Sequence, residues 1–135
     1  MTCSLNNKIT NPKMSGCSIG LAGVPGVAKT HLVQTLSEAI SIPMVQIPMG
    51  GCNDAASLLG HSLVYEGSSQ GSIVNALIEL KQTNGIIYFD ELDKLGTTSN
   101  GNEVKQALLH ITDFTQNKHF KDKYLGNNFS IDLSN

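Results

Sequence analysis

Eight consecutive residues constrain this chain of 135 more than any other stretch: Gly23-Val24-Pro25-Gly26-Val27-Ala28-Lys29-Thr30. A short apolar run precedes them. After them Leu32, Val33, Leu36, Ala39 and Ile40 recur at helical spacing until Pro43. The expected unit is a strand over 18–22, a glycine-rich turn and a helix, close to the phosphate-wrapping pattern GxxxxGK[ST]. Glycines let the backbone curl so that successive N–H groups point inward, and the helix that follows adds the positive end of its dipole. Gly23, Pro25, Gly26, Val27, Ala28, Lys29 and Thr30 are therefore candidate nucleotide-binding residues. Lys29 would neutralise the β- and γ-phosphates of ATP, and the Thr30 hydroxyl would ligate Mg²⁺. The plainer alternative is a glycine-rich turn with an incidental lysine. Ala28 stands where the pattern has glycine, a neutral change only if its backbone is helical and its methyl clears the phosphates.

The rest of the chain alternates strands with helices. Residues 1–16 are polar and aperiodic and read as a tail or linker, leaving 17–135 as the folded part. A second strand is expected over 44–47, closed by Pro48-Met49-Gly50-Gly51, and then a short helix over 54–59. Residues 60–71 are rich in glycine and serine and read as a loop. Ile73, Val74, Leu77, Ile78 and Leu80 mark an amphipathic helix that ends before the turn Asn84-Gly85. Ile86-Ile87-Tyr88-Phe89 follows as a strand expected to be buried on both faces, as parallel strands are. Residues 97–102 read as a polar loop, Val104, Ala107, Leu108 and Ile111 as a helix, and 120–133 as a hairpin around Gly126-Asn127-Asn128. The alternation predicts a layered α/β fold with a mainly parallel sheet.

The strand at 86–89 delivers two adjacent carboxylates, Asp90 and Glu91, at its C-terminal end, where open α/β sheets bind ligands. Asp90 would hold the Mg²⁺ shell and Glu91 would polarise an attacking water as general base. The alternative is a solvated acidic turn running on into Asp93-Lys94.

Composition narrows the partners. Nine lysines and no arginine stand against 11 acids, and a net charge of -2 gives no reason to expect nucleic acid or an anionic membrane. Cys3, Cys17 and Cys52 form no CxxC pair, so neither a disulfide framework nor a zinc site is expected. A reducing intracellular setting follows, cytoplasmic with an organelle left open. No apolar run approaches the roughly 20 residues that cross a bilayer. His31, His61, His110 and His119 lack ligand spacing, and Lys118, Lys121 and Lys123 around Asp122 read as a solvated face.

Taken together these residues resemble the AAA+ ATPases, and specifically the ATPase module of Lon-type ATP-dependent proteases. The carriers are the two nucleotide motifs, Gly50-Gly51 with Asp54, Gly60-His61, Tyr65, Gly67-Ser68, Gly71, Asp90-Glu91-Leu92-Asp93-Lys94, Ala107-Leu108-Leu109, Gln116-Asn117, Phe120, Asp122 and Tyr124-Leu125. The resemblance implies a P-loop NTPase of three αβα layers around a parallel sheet, with 17–135 as the N-terminal part of an AAA+ domain. It implies ATP and Mg²⁺ as cofactors, a homo-oligomeric ring, and an unfolded polypeptide as substrate. Tyr65 falls where the family places a pore-loop aromatic that grips translocating chain, although Glu66 departs from the apolar residue usual after it. Ser62 and Leu63 stand where basic residues are common.

The resemblance also implies parts that are not expected in this chain: the sensor strand between the phosphate-loop strand and the acid-bearing strand, the helical lid, the peptidase domain and an arginine finger. Two expectations follow. One is an ATP-hydrolysing module that drives unfolding and translocation for proteolysis in a full-length protein. The other is a degenerate nucleotide-binding relic, an interaction module with little turnover. Peptidase activity of the chain itself is not expected, because no nucleophile and base pair can be argued.

Overall fold

The computed structural model describes residues 16–52, 54–64, 66–96 and 99–134. Helix α1, Lys29–Ile40, ends where Ser41 turns into the left-handed region at φ 53, its N–H bonding the Glu38 carbonyl. Ile42 N–H reaches the Ser37 carbonyl at 3.1 Å, and this double closure aims the chain into strand β1, Met44–Pro48. A short helix α2, Ala56–Leu59, starts on the Asp54 carboxylate, which accepts the Ala56 N–H at 2.8 Å. Helix α3, Ser72–Leu80, leads to strand β2, Ile86–Asp90, through the expected turn, where a side chain on Gly85 would overlap Leu80. A 3₁₀ turn Leu92–Lys94, helix α4 over Ser99–Thr112 and a 3₁₀ turn Asn117–His119 complete the order.

β1 and β2 pair in parallel with Met44 opposite Ile86, Gln46 opposite Tyr88 and Pro48 opposite Asp90. Strand periodicity then sorts the side chains onto two faces. Val45, Ile47 and Met49 point into the core beside Ile73, Val74 and Leu80 of α3, with Ile87 and Phe89 of β2 packed against them. Gln46, Tyr88 and Asp90 fall on the other face, where α1 lies. Two strands between α1 and α3 make the expected αβα layering. Met49, Leu58, Ile73 and Val104 are fully buried, each contributing about 1.5–3 kcal/mol of transfer free energy.

Several expectations are corrected. Residues 18–22 form no strand: they pair with neither β1 nor β2, and Ile19 and Leu21 are exposed. A strand exists only where a neighbour takes its backbone groups, and among the described residues no chain lies at the needed edge. For the same reason β2 is half-buried along its length rather than enclosed on both faces. Helix α4 begins at Ser99 and absorbs much of the expected polar loop, with Gly101 packed so closely on Gly96 that a side chain would meet its carbonyl.

The expected hairpin over 120–133 reduces to a single antiparallel bridge, Phe120 to Ile131, around a turn in which Gly126 N–H bonds the Asp122 carbonyl. Lys118, Lys121 and Lys123 are exposed as expected, but Asp122 between them is turned inward and only 1% exposed. Residues 1–15 of the expected tail lie outside the described residues. Gly16 N–H bonds the Ser134 carbonyl at 2.5 Å.

Candidate functional site

The glycine-rich segment 23–28 is exposed and runs directly into α1. The first turn of that helix carries neither a capping side chain nor an acid, so its unpaired N–H groups and dipole face an open position suited to an anion. Gly23, Pro25 and Val27 occupy the turn, with Gly26 at φ 83 supplying the left-handed step. Ala28 is also left-handed, at φ 58 and ψ 34. The condition under which alanine would be neutral there is therefore not met, and its methyl adds about 1 kcal/mol of strain. The Lys29 ammonium folds back over the loop, donating to the Gly23 carbonyl at 3.0 Å and the Val24 carbonyl at 3.2 Å.

Thr30 and Asp90, sixty positions apart in sequence, meet across the gap between α1 and β2, the hydroxyl donating to Oδ2 at 3.4 Å. The acid is held from several sides. Gln46 Nε2 donates to Oδ2 at 2.8 Å, the Tyr88 hydroxyl donates to Oδ1 at 3.2 Å, and the Glu91 N–H donates to Oδ1 at 2.8 Å. Thr30 Oγ1 and the Tyr88 hydroxyl lie 3.5 Å apart.

Glu91 takes a different course. Its backbone is left-handed at φ 59, and its carboxylate rests over Gly50, where any Cβ would collide with it. Lys94 Nζ pairs with Glu91 Oε1 at 2.5 Å, and that hydrogen bond raises the lysine pKa above its usual value. Non-glycine residues in such conformations collect at functional sites, where the surroundings enforce them.

The structure thus joins Thr30 to Asp90, keeps Lys29 on the loop carbonyls, and turns Glu91 toward Gly50 and Lys94. Tyr65 lies outside the described residues. Sequence reasoning missed Gln46, Tyr88 and Lys94. Tyr88 was recoverable from its place two residues before Asp90, but Gln46 needed the register of β1 on β2.

A hydroxyl and a carboxylate side by side are hard oxygen donors of the kind Mg²⁺ accepts. Among the described residues no three His, Cys, Asp or Glu side chains converge on one point. Mg²⁺ held by one carboxylate and substrate phosphates needs no such cluster. A hollow of about 230 Å³ lined by Met49, Gly50, Cys52, Ser57 and Ser72 lies nearby and takes in none of the 23–30 loop.

A glycine-rich loop close to the GxxxxGK[ST] type at an uncapped helix start, met by an acid from the end of a parallel strand, places the chain among the P-loop nucleoside triphosphatases. Within that class the model of the ATPase family associated with various cellular activities (AAA) matches residues 19–130, and the chain belongs to that family. It is 40% identical over 126 residues to a Lon protease homolog of Acanthamoeba polyphaga mimivirus, covering 93% of this chain and 12% of that protein. It is 43% identical over 122 residues to a Lon protease of Helicobacter pylori (strain 26695), covering 90% of this chain and 14% of the relative. A peroxisomal Lon protease homolog 2 of Pichia angusta is 42% identical over 114 residues, 84% of this chain and 12% of the relative. The resemblance to Lon-type modules expected from the sequence is borne out, and the chain spans only 12 to 14% of the length of these relatives.

Proposed function

We propose that the chain is a nucleotide-binding AAA+ module that takes ATP with Mg²⁺ and, within a Lon-like full-length protein, couples its hydrolysis to unfolding and translocation of polypeptide for proteolysis. The observation that carries this reading is the contact of Thr30 with Asp90 at the mouth of the 23–30 loop. The N–H groups of that loop and of the first turn of α1 hold the phosphates. Lys29 exchanges the carbonyls of Gly23 and Val24 for β- and γ-phosphate oxygens. Thr30 and Asp90 would hold Mg²⁺, which when bound would supply charge neutralisation to the phosphoryl group being transferred. Glu91 leaves Lys94 to accept a proton from the attacking water.

In a homo-oligomeric ring Tyr65 would grip the unfolded substrate through area burial, without demand for its sequence. Any guanidinium acting at this site comes from outside these 135 residues, which contain no arginine. The setting inferred from cysteine spacing is a reducing intracellular compartment, cytoplasmic with an organelle left open. Among the described residues no helix is long and apolar enough to cross a membrane.

Binding of a fluorescent ATP analogue in Mg²⁺, weakened at least tenfold by Lys29→Ala, is the expected result. Wild-type chain that binds no analogue overturns the reading. The strained Ala28 and the lack of arginine favour a second reading, a binding relic with little turnover. For the isolated chain we expect weak or no phosphate release. Turnover comparable to an intact AAA+ ring and abolished by Glu91→Gln would reject the relic.

A further inference from the structure

We propose that Gln46 and Tyr88 are positioning residues for the cation: from the sheet face under α1 they hold the Asp90 carboxylate in the one orientation that lets it and Thr30 share a divalent ion. The inference rests on the reading of this site as one for ATP and Mg²⁺.

The placement follows from the fold. The parallel register sets Gln46 opposite Tyr88, and the period of two puts Tyr88 and Asp90 on the same face, so the three side chains form one patch beneath Thr30. A carboxylate rotates broadly about its last torsion unless both oxygens are engaged. Here they are: Gln46 holds Oδ2 at 2.8 Å, while Tyr88 at 3.2 Å and the Glu91 N–H at 2.8 Å hold Oδ1.

The contact from Thr30 to Oδ2 is the longest of the four at 3.4 Å, weak for an O–H donor, and is the one a cation would replace. Each carboxylate oxygen has two lone-pair positions, so Gln46 can keep its bond while the other lone pair of Oδ2 faces the ion. Mg²⁺ demands near-octahedral oxygen geometry, and a wandering carboxylate meets that demand poorly. Loss of outer partners that orient a metal ligand costs about 10–100-fold in metal affinity. The neighbours of Tyr88 along β2, Ile87 and Phe89, face the apolar core, so its hydroxyl is spent on this patch.

The test is a Mg²⁺ titration of fluorescent ATP-analogue binding to the 135-residue chain, comparing wild type with Tyr88→Phe, Gln46→Met and the double variant. Tyr88→Phe keeps the ring, and Gln46 is solvent-exposed, so Gln46→Met carries the test if the tyrosine variant fails to fold. We expect the half-saturating Mg²⁺ concentration of the double variant to rise about 10–100-fold, with analogue affinity in EDTA unchanged. Wild-type binding that depends on Mg²⁺ but keeps the same or a lower Mg²⁺ requirement in the double variant overturns the inference alone. So does an equal loss of affinity in EDTA, which marks a structural role. Wild type that binds no analogue with or without Mg²⁺ overturns the nucleotide reading and this inference with it.

Discussion

Ala28 holds a left-handed backbone at φ 58 one residue before the lysine of the loop, a conformation that glycine adopts without cost. Ala28→Gly should therefore raise stability by at most about 1 kcal/mol, part of the relief being offset by the greater freedom of glycine in the unfolded chain. Gly26→Ala, at φ 83, should lower it by about the same amount. Urea denaturation of both variants checks the pair, and an Ala28→Gly variant less stable than wild type would contradict the strain. The anomaly at 28 was legible in the sequence, because a glycine pattern was broken there. Its backbone angle was not, since it depends on how the loop meets α1. The same limit hid the meaning of Gly50, which makes room for the Glu91 carboxylate from forty-one positions away and so has no local signal.

Elements were legible wherever one period dominated. Helices α1 and α3 and strands β1 and β2 stand within a residue or two of where spacing put them, because each has an apolar face with its own repeat. Segment 60–71 was read as a loop, but what holds its base was not foreseen. The buried Asp122 carboxylate accepts Gly71 N–H at 2.8 Å, Tyr124 N–H at 2.8 Å and Leu125 N–H at 3.3 Å. Lys123 N–H adds a bond of 2.7 Å to the Leu59 carbonyl, and Gly60 sits so near Asp122 that a side chain would overlap it. Three flanking lysines made this acid look solvated, whereas its partners are backbone groups that no residue pattern reveals. Asp122→Asn turns an amide donor toward one of the N–H groups and should cost about 1–3 kcal/mol. Faster proteolysis within 60–71 under native conditions should accompany it, and an unchanged cleavage rate would remove Asp122 as the anchor of that loop.

At the scale of the molecule the αβα order was legible from alternation, and the sheet was overestimated by one strand because pairing is a property of two segments. The consequence is an apolar surface left open. Leu32, Leu36 and Ile40 of α1 are 54%, 38% and 38% exposed, with Ile19 and Leu21 exposed in the preceding segment. Such a patch marks a surface that associates. The chain alone should bind the dye ANS and elute above its monomer mass of 14.4 kDa, and a monodisperse monomer without ANS fluorescence would contradict this. The sixty-position separation of Thr30 from Asp90 also has a meaning in time. During synthesis at about 5–20 residues per second, the loop and its helix leave the ribosome roughly 3–12 s before the acid that completes their site. Through that interval Thr30 lacks its carboxylate partner, and the apolar flank of α1 at Leu32, Leu36 and Ile40 is presented to solvent before the strand that carries Asp90 exists.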